Sequence, residues 1–348
     1  MACPPARYEV HARIAVSCRY GARLCRADRQ ASQGSRGGAR SRREEVKTRQ
    51  NIHGWIALDK PEGMGSTQAL AKVKRLFNAN KAGHGGTLDP LASGLLPIAL
   101  GEATKTVSWA MEGRKTYRVV IKWGEGRTTD DREGEISELS ECRPSRKDIE
   151  SILTSFEGEI LQTPPKFSAI RVSGERAYDL ARAGEEVALM PRPVFIERIE
   201  LLALPDRDHG EFSVTCGKGT YIRSLARDLA LALGTVGHVA SLRRTQVGPF
   251  GEKDMISLEK LDDLRHKAAG DNAMEGVLRP IETVLDGIPA LAVKDAEAQR
   301  LRQGQSVLLR GASAPIAQDA VLVMWGQKPL GICSIEKGSL KPKRLFNL

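Results

Sequence analysis

Closely spaced cysteines, long apolar runs and clusters of metal-ligating residues are what this chain lacks. Its six cysteines stand at positions 3, 18, 25, 142, 216 and 333, and no two have C-x-x-C spacing. That argues against a thiolate zinc site and against the dense disulfide framework of small secreted domains, and it favours a reducing compartment. No metal site is expected. No run of eighteen apolar residues occurs, so no helix is expected to cross a bilayer. Strong basicity of the body is missing too, although the formal net charge is +10. Residues 1–50 carry 12 Lys+Arg against 4 Asp+Glu, whereas the other 298 residues carry 41 against 39. A nucleic-acid surface in the body must therefore come from clustering and not from bulk charge.

Residues 1–50 are rich in Arg, Ser, Gly and Ala with little periodicity, and read as a disordered basic extension. A mitochondrial presequence, an RNA-touching arm and residues upstream of the true start all fit that composition. The 348-residue length allows a large core and two domains.

Order is expected from the apolar strand His53–Leu58, followed by a turn at Glu62–Gly65 and a helix over Gln68–Phe77, capped by Ser66 or Thr67. Further helices are expected over Glu102–Met111, Ser145–Phe156 and Ser224–Leu233. Lys115–Trp123 reads as a strand with Tyr117, Val119, Ile121 and Trp123 on one face. Thr128–Gly134 is a polar loop without the ligand periodicity of a calcium site. A strand over Phe212, Val214 and Cys216 leads towards Tyr221 and Arg223, which project the same way if they sit at a strand end. Val239–Phe250 is a further strand with adjacent arginines, and 263–276 reads as a linker or helical insertion. In 163–198, Arg171, Arg176, Arg182, Arg192 and Arg198 with Tyr178 suit either a phosphate-and-base surface or a solvated loop. From Ile288 short strands follow one another, suggesting a small β domain near the lower limit for independent folding.

The stretch Gly83-His84-Gly85-Gly86-Thr87-Leu88-Asp89-Pro90-Leu91-Ala92-Ser93-Gly94 sets one carboxylate between a glycine-rich approach and an apolar exit. Pro90 disfavours helical angles at Asp89. A carboxylate so restrained can be a nucleophile or a general base, but residue type alone favours an ordinary Asp-Pro turn.

Other segments change that balance. Leu58-Asp59-Lys60-Pro61 with Ser66, the Gly83–Leu96 stretch, Lys115-Thr116-Tyr117-Arg118, Gly219-Thr220-Tyr221-Ile222-Arg223-Ser224-Leu225 and Leu242-Arg243-Arg244-Thr245 occur in the order found in the TruB-type tRNA pseudouridine synthases, which the chain resembles over roughly 51–348. The resemblance implies an α+β fold: a mixed, mainly antiparallel central sheet with flanking helices (the pseudouridine synthase fold) over 51–285, with 163–193 as a loop that closes over RNA. It further implies a small PUA-like C-terminal β-barrel over 286–348. The implied activity is isomerisation of uridine-55 in the tRNA T-loop to pseudouridine by base flipping, with no cofactor and no metal. Asp89 is the implied nucleophile, Arg223 its ion-pair partner, and Tyr117 the stacking and proton-transfer residue. Tyr221 and Leu242 line the pocket, His84 fills the gap left in the T-loop, and Lys60 and Arg243 belong to the substrate-binding set. The tRNA T-arm is the implied partner, for a monomer with no obligate protein partner and no membrane. Bacterial cytoplasm is the expected location, with a mitochondrial one left open by the tail. Gly85 departs from the family, where Ala or Thr is commoner, and is expected to loosen the loop. A guide-RNA-dependent (H/ACA-type) synthase and a catalytically silent tRNA-binding or folding factor are the competing readings.

Overall fold

The computed structural model describes residues 49–168, 171–172, 175–176, 189–267, 274, 276–309 and 315–348. Most of the basic extension, Tyr178 and Arg182, and residues 268–273 of the expected linker lie outside these. Gln50, which the sequence assigns to the extension, donates its backbone N–H to Asn78 O at 2.8 Å. Deleting 1–48, which spares that contact, is expected to leave the thermal unfolding midpoint within about 2 °C of the full chain's, because surface changes away from the core move stability by only a few tenths of a kcal/mol.

The strands in chain order are β1 (Gly54–Lys60), β2 (Ala82–His84), β3 (Ser93–Leu100), β4 (Lys115–Trp123), β5 (Glu125–Arg127), β6 (Ile136–Leu139), β7 (Gly158–Gln162), β8 (Arg171–Val172) and β9 (Glu175–Arg176). They continue with β10 (Arg192–Ala203), β11 (His209–Cys216), β12 (Gly237–Val247), β13 (Ile256–Ser257), β14 (Ala290–Ala292), β15 (Val307–Leu308), β16 (Gln318–Trp325), β17 (Lys328–Glu336) and β18 (Ser339–Leu345). The helices are α1 (Ser66–Leu76), α2 (Val107–Glu112), α3 (Arg146–Leu153), α4 (Ile222–Ala232), α5 (Leu258–Lys267) and α6 (Asp295–Arg302). The main sheet runs β13-β1-β3-β12-β4-β11-β10-β7, with β2 added beside β3. Only β1–β13 and β3–β12 pair in parallel, so the sheet is mixed and mainly antiparallel, as expected. None of the described helices is long and apolar enough to cross a membrane.

Alternation along the strands divides the core. Ile56 and Leu58 of β1, with Leu96, Ile98 and Leu100 of β3, face one cluster that also takes in Tyr117, Val119, Ile121 and Trp123 of β4 and the apolar stripe of α4. Trp55, Ala57, Leu95 and Ala99 face the opposite way, into a cluster shared with Leu322, Ile332 and Phe346 of the C-terminal region. The five-stranded sheet β14-β16-β17-β18-β15 therefore packs onto the main sheet's second face. Polar contacts reinforce the seam: Lys105 Nζ donates to Leu345 O at 2.7 Å, and Asn347 N–H to Glu102 at 2.8 Å. A sheet too small to bury enough apolar surface alone gains it from its neighbour.

Two local expectations change. Gly65, not Ser66 or Thr67, occupies the N-cap of α1, because the Ser66 hydroxyl is used elsewhere. Tyr221 is the N-cap of α4 and Arg223 lies in its first turn, so they are not neighbours on one strand face. Residues 258–267 are helical, so the start of the 263–276 region fits the helical alternative.

Candidate active site

The first face of the main sheet carries a group of polar side chains amid apolar ones. Lys60 ends β1 on the face of Ile56 and Leu58, and its ammonium donates to the carbonyls of Met64 (2.7 Å), Pro61 (3.0 Å) and Pro90 (3.4 Å). On β12, Leu242 stands opposite Val119 and Arg244 opposite Tyr117. Period-two geometry thus brings Leu242, Arg244 and Tyr117 to one face and turns Arg243 to the other.

The segment from Gly85 to Ala92 lies across this face and is tied down on both flanks. Ser66 Oγ accepts the Leu88 N–H at 2.8 Å and donates to Leu88 O at 2.7 Å. Gly63 N–H donates to Pro90 O at 2.8 Å, and Ala92 N–H to Asp89 O at 3.1 Å, closing the turn. Arg244 donates from Nε to Leu95 O (2.7 Å), from Nη2 to Gly86 O (3.0 Å) and from Nη1 to Thr87 O (3.3 Å). Asp89 thus sits in a turn, as its residue type favours, and the backbone around it is held by at least three side chains.

Gly85 is not a loose point. Its N–H donates to Pro97 O at 2.8 Å, and a Cβ there would lie 2.9 Å from Ala110 Cβ on α2. The expectation that this glycine loosens the loop is replaced by close packing against α2. Gly85→Ala is expected to lower stability by about 1–3 kcal/mol through overpacking, and Ala110→Gly should recover part of that loss in denaturant unfolding.

The Asp89 carboxylate is 37% exposed, open enough to meet a ligand, while the Arg223 side chain beside it is 6% exposed. Arg223 Nε lies 2.9 Å from Asp89 Oδ2, and Nη1 lies 3.5 Å from Asp131 Oδ2. Its remaining donors reach Thr129 O and Phe167 O, each at 3.1 Å. Two carboxylates therefore share one buried guanidinium. Asp131 is itself aimed by the Thr129 hydroxyl at 2.5 Å and by the Glu133 N–H at 3.0 Å. Gln162, at the end of β7, holds the start of α4 by accepting the Tyr221 N–H (2.8 Å) and donating to Tyr221 O (3.1 Å).

Burial sets the protonation of the neighbours. It pushes the Tyr117 phenol above its ordinary range, and the Arg244 guanidinium acts against it. Burial pulls the Lys60 ammonium down to about 8, with the Asp89 charge opposing. His84 is held below its usual value by burial and then by Arg244, so its ring is neutral at pH 7. Its Nδ1 is buried and unpartnered among the described residues.

Of the residues expected from the sequence, Asp89 and Arg223 are in contact, Tyr117, Tyr221 and Lys60 lie within electrostatic reach of Asp89, His84 lies within reach of Arg244, and Leu242 stands opposite Val119 on the same sheet face as Tyr117. Arg243 stays apart: it faces the opposite side of the sheet and makes a two-pronged pair with Asp59 at 2.9 and 3.0 Å. Arg244, Asp131, Gln162 and the role of Ser66 were missed. Arg244 was within reach, being two residues beyond Leu242 on a strand. Asp131 and Gln162 lie in segments with no local signature. Among the described residues no three His, Cys, Asp or Glu side chains group as metal ligands.

Comparison with known proteins gives this arrangement its family. The profile "TruB family pseudouridylate synthase (N terminal domain)" matches residues 74–222. "tRNA pseudouridylate synthase B C-terminal domain" matches 223–286, and "Pseudouridine synthase II TruB, C-terminal" matches 289–346. A tRNA pseudouridine synthase B from Bradyrhizobium diazoefficiens is 56% identical over 303 residues, covering 87% of this chain and 88% of the relative. The chain belongs to the TruB family of pseudouridylate synthases. A relative of the same name from Brucella melitensis is 51% identical, covering 85% of this chain and 96% of its own. Among solved structures, the chain resembles one titled "Crystal Structure of a Cbf5-Nop10-Gar1 Complex" with TM-score 0.65 and 28% identity, covering 84% of each chain. It also resembles "Structure of H/ACA RNP bound to a substrate RNA containing 2'-deoxyuridine", with TM-score 0.66, 26% identity and 85% of each chain covered. The fold read from the TruB-type motifs is thus the pseudouridine synthase fold, and the five-stranded C-terminal sheet takes the place of the PUA-like unit.

Proposed function

We propose that this protein converts uridine-55 in the T-loop of tRNA to pseudouridine, with Asp89 as nucleophile. The observation that carries the reading is the half-exposed Asp89 carboxylate paired at 2.9 Å with an otherwise buried Arg223, in a turn fixed on both flanks. The reaction exchanges the N1–C1′ bond for a C5–C1′ bond, removes the proton on C5 and places one on N1, so it balances without an oxidant, a reductant or an external atom. A base stacked in RNA is out of reach of such a carboxylate and must be flipped out.

In this reading Arg223 directs the Asp89 carboxylate, which it holds at ion-pair distance. Tyr117 stacks on the flipped base and takes the C5 proton, while Leu242 and Tyr221 wall the pocket. His84, neutral and with an unused ring nitrogen, fills the space the nucleotide leaves. The names of the tRNA pseudouridine synthase B relatives support tRNA as the RNA bound.

The solved structures of similar fold are titled as H/ACA particles and their protein complexes, which supplies the second reading, a guide-RNA-dependent enzyme. Pseudouridine mapping of an unmodified tRNA with the purified protein, with and without guide RNA, separates them. Modification of the T-loop uridine without guide is the expected result. Modification only with guide establishes the alternative, and tRNA binding without any modification establishes the silent factor.

A further inference from the structure

Arg244 is one of the largest fully buried side chains, at 2% exposure, yet among the described residues carbonyl oxygens match it, not a carboxylate. A buried cation held by neutral dipoles is an unfavourable arrangement if stability alone is at stake. Its place explains what it can do. The carbonyls it binds belong to Gly86 and Thr87 before Asp89 and to Leu95 after it, so one planar fork spans both flanks of the nucleophile's turn. Its Cα register partner on β4 is Tyr117, whose hydroxyl faces the guanidinium. Even the backbone is close: Gly94 lies against the Arg244 main chain, where a Cβ would come within 2.3 Å of Arg244 O.

We infer that Arg244 is a positioning residue for the isomerisation, fixing the Asp89 turn against the Tyr117 hydroxyl and placing a permanent positive charge beside that hydroxyl. This rests on the proposed roles of Asp89 and Tyr117. A guanidinium in this position does two things that a neutral side chain cannot do together. It holds three carbonyls on both flanks of the turn through one rigid group, and it favours the phenolate over the phenol. The groups facing Tyr117 are Arg244 from β12, Cys216 from β11 and Asp89 from the turn. Cys216 and Asp89 disfavour the phenolate, which leaves Arg244 as the group that favours it. A tyrosine acting as base then gives a rate that rises with pH, and the cation sets where the rise falls.

The test is the single-turnover rate of pseudouridine formation on unmodified tRNA between pH 6 and 9 for the parent, Arg244→Lys and Arg244→Met. tRNA affinity and thermal unfolding are measured alongside. Arg244→Lys keeps the charge and loses the fork: the expected result is a rate lower by roughly 10–100-fold, tRNA affinity within about twofold, and a pH profile in its original place. Arg244→Met loses both, and its rise with pH is expected to move to higher pH. Should Arg244→Met not fold, Arg244→Lys decides alone, and a rate within about twofold of the parent overturns the proposal. A folded Arg244→Met variant with the parent's pH profile overturns it equally. If the parent itself makes no pseudouridine, the functional reading has failed and not the assignment of Arg244.

Discussion

Asp89→Asn is expected to reduce the single-turnover rate at the T-loop uridine by at least roughly 10³-fold, while tRNA binding is kept. An amide is nearly isosteric with the carboxylate but is not a nucleophile, and in the proposed mechanism its introduction removes the covalent route altogether. The fold has no cause to fail. Asp89 is partly exposed, and Arg223 keeps Asp131, Thr129 O and Phe167 O as partners. The buried guanidinium is therefore not left without an anion, the situation that makes breaking a buried pair so costly. The sign of the binding change follows from charge: removing one negative group facing a polyanion leaves affinity equal or slightly higher. Quench-flow with pseudouridine detection and a filter-binding titration would read the two quantities. A variant that turns over at the parent's rate would remove Asp89 from the mechanism, and one that loses binding in step with rate would make it a binding residue.

Gly94→Ala is expected to cost on the order of 3 kcal/mol or more in unfolding free energy. Gly94 has φ of +96°, in the region that strains residues with a side chain. A Cβ would stand 2.3 Å from Arg244 O and 3.0 Å from Arg244 N. Both atoms are backbone of the neighbouring strand, paired in parallel register at Arg244–Gly94, so relief requires β3 and β12 to separate. That separation would also pull Arg244 from the Asp89 turn. Gly63→Ala is the control. Its φ is +79°, but nothing lies within 4 Å of the added Cβ, so only the left-handed backbone strain of about 1–2 kcal/mol applies. Equal denaturation midpoints for the two variants would show that the contact with β12 is not the cause.

The candidate site was legible where its chemistry is local. Asp89 is marked by the glycines and Pro90 around it, and Tyr117 by the alternation of β4, which places it with Val119, Ile121 and Trp123 on the buried face. Arg223 is assigned through motif resemblance, and the separate expectation that it projects with Tyr221 from a strand end does not hold. The run Gly217–Tyr221 looks like a strand leaving β11, but Tyr221 caps α4, and Gln162 from a distant strand fixes that cap from both sides. Nothing within 217–223 announces Gln162. Ser66 was expected to cap a helix because local pattern rewards that use. The structure spends its hydroxyl on Leu88, which lies 22 residues away in sequence.

The pair Arg243 and Arg244 draws the line between the two kinds of information. Composition and motif order are properties of neighbouring residues: they carried the family resemblance, which implied the mixed sheet, and they singled out Asp89 as the candidate central carboxylate. Two adjacent arginines on a strand must face opposite ways, which the sequence alone also dictates. Which of them meets Tyr117 depends on the register of β12 against β4, and bulges between Val239 and Ser241 and between Arg244 and Gln246 set that register. Only the folded sheet decided it, because register is fixed by pairing between segments more than a hundred residues apart and a one-residue slip would exchange the two side chains.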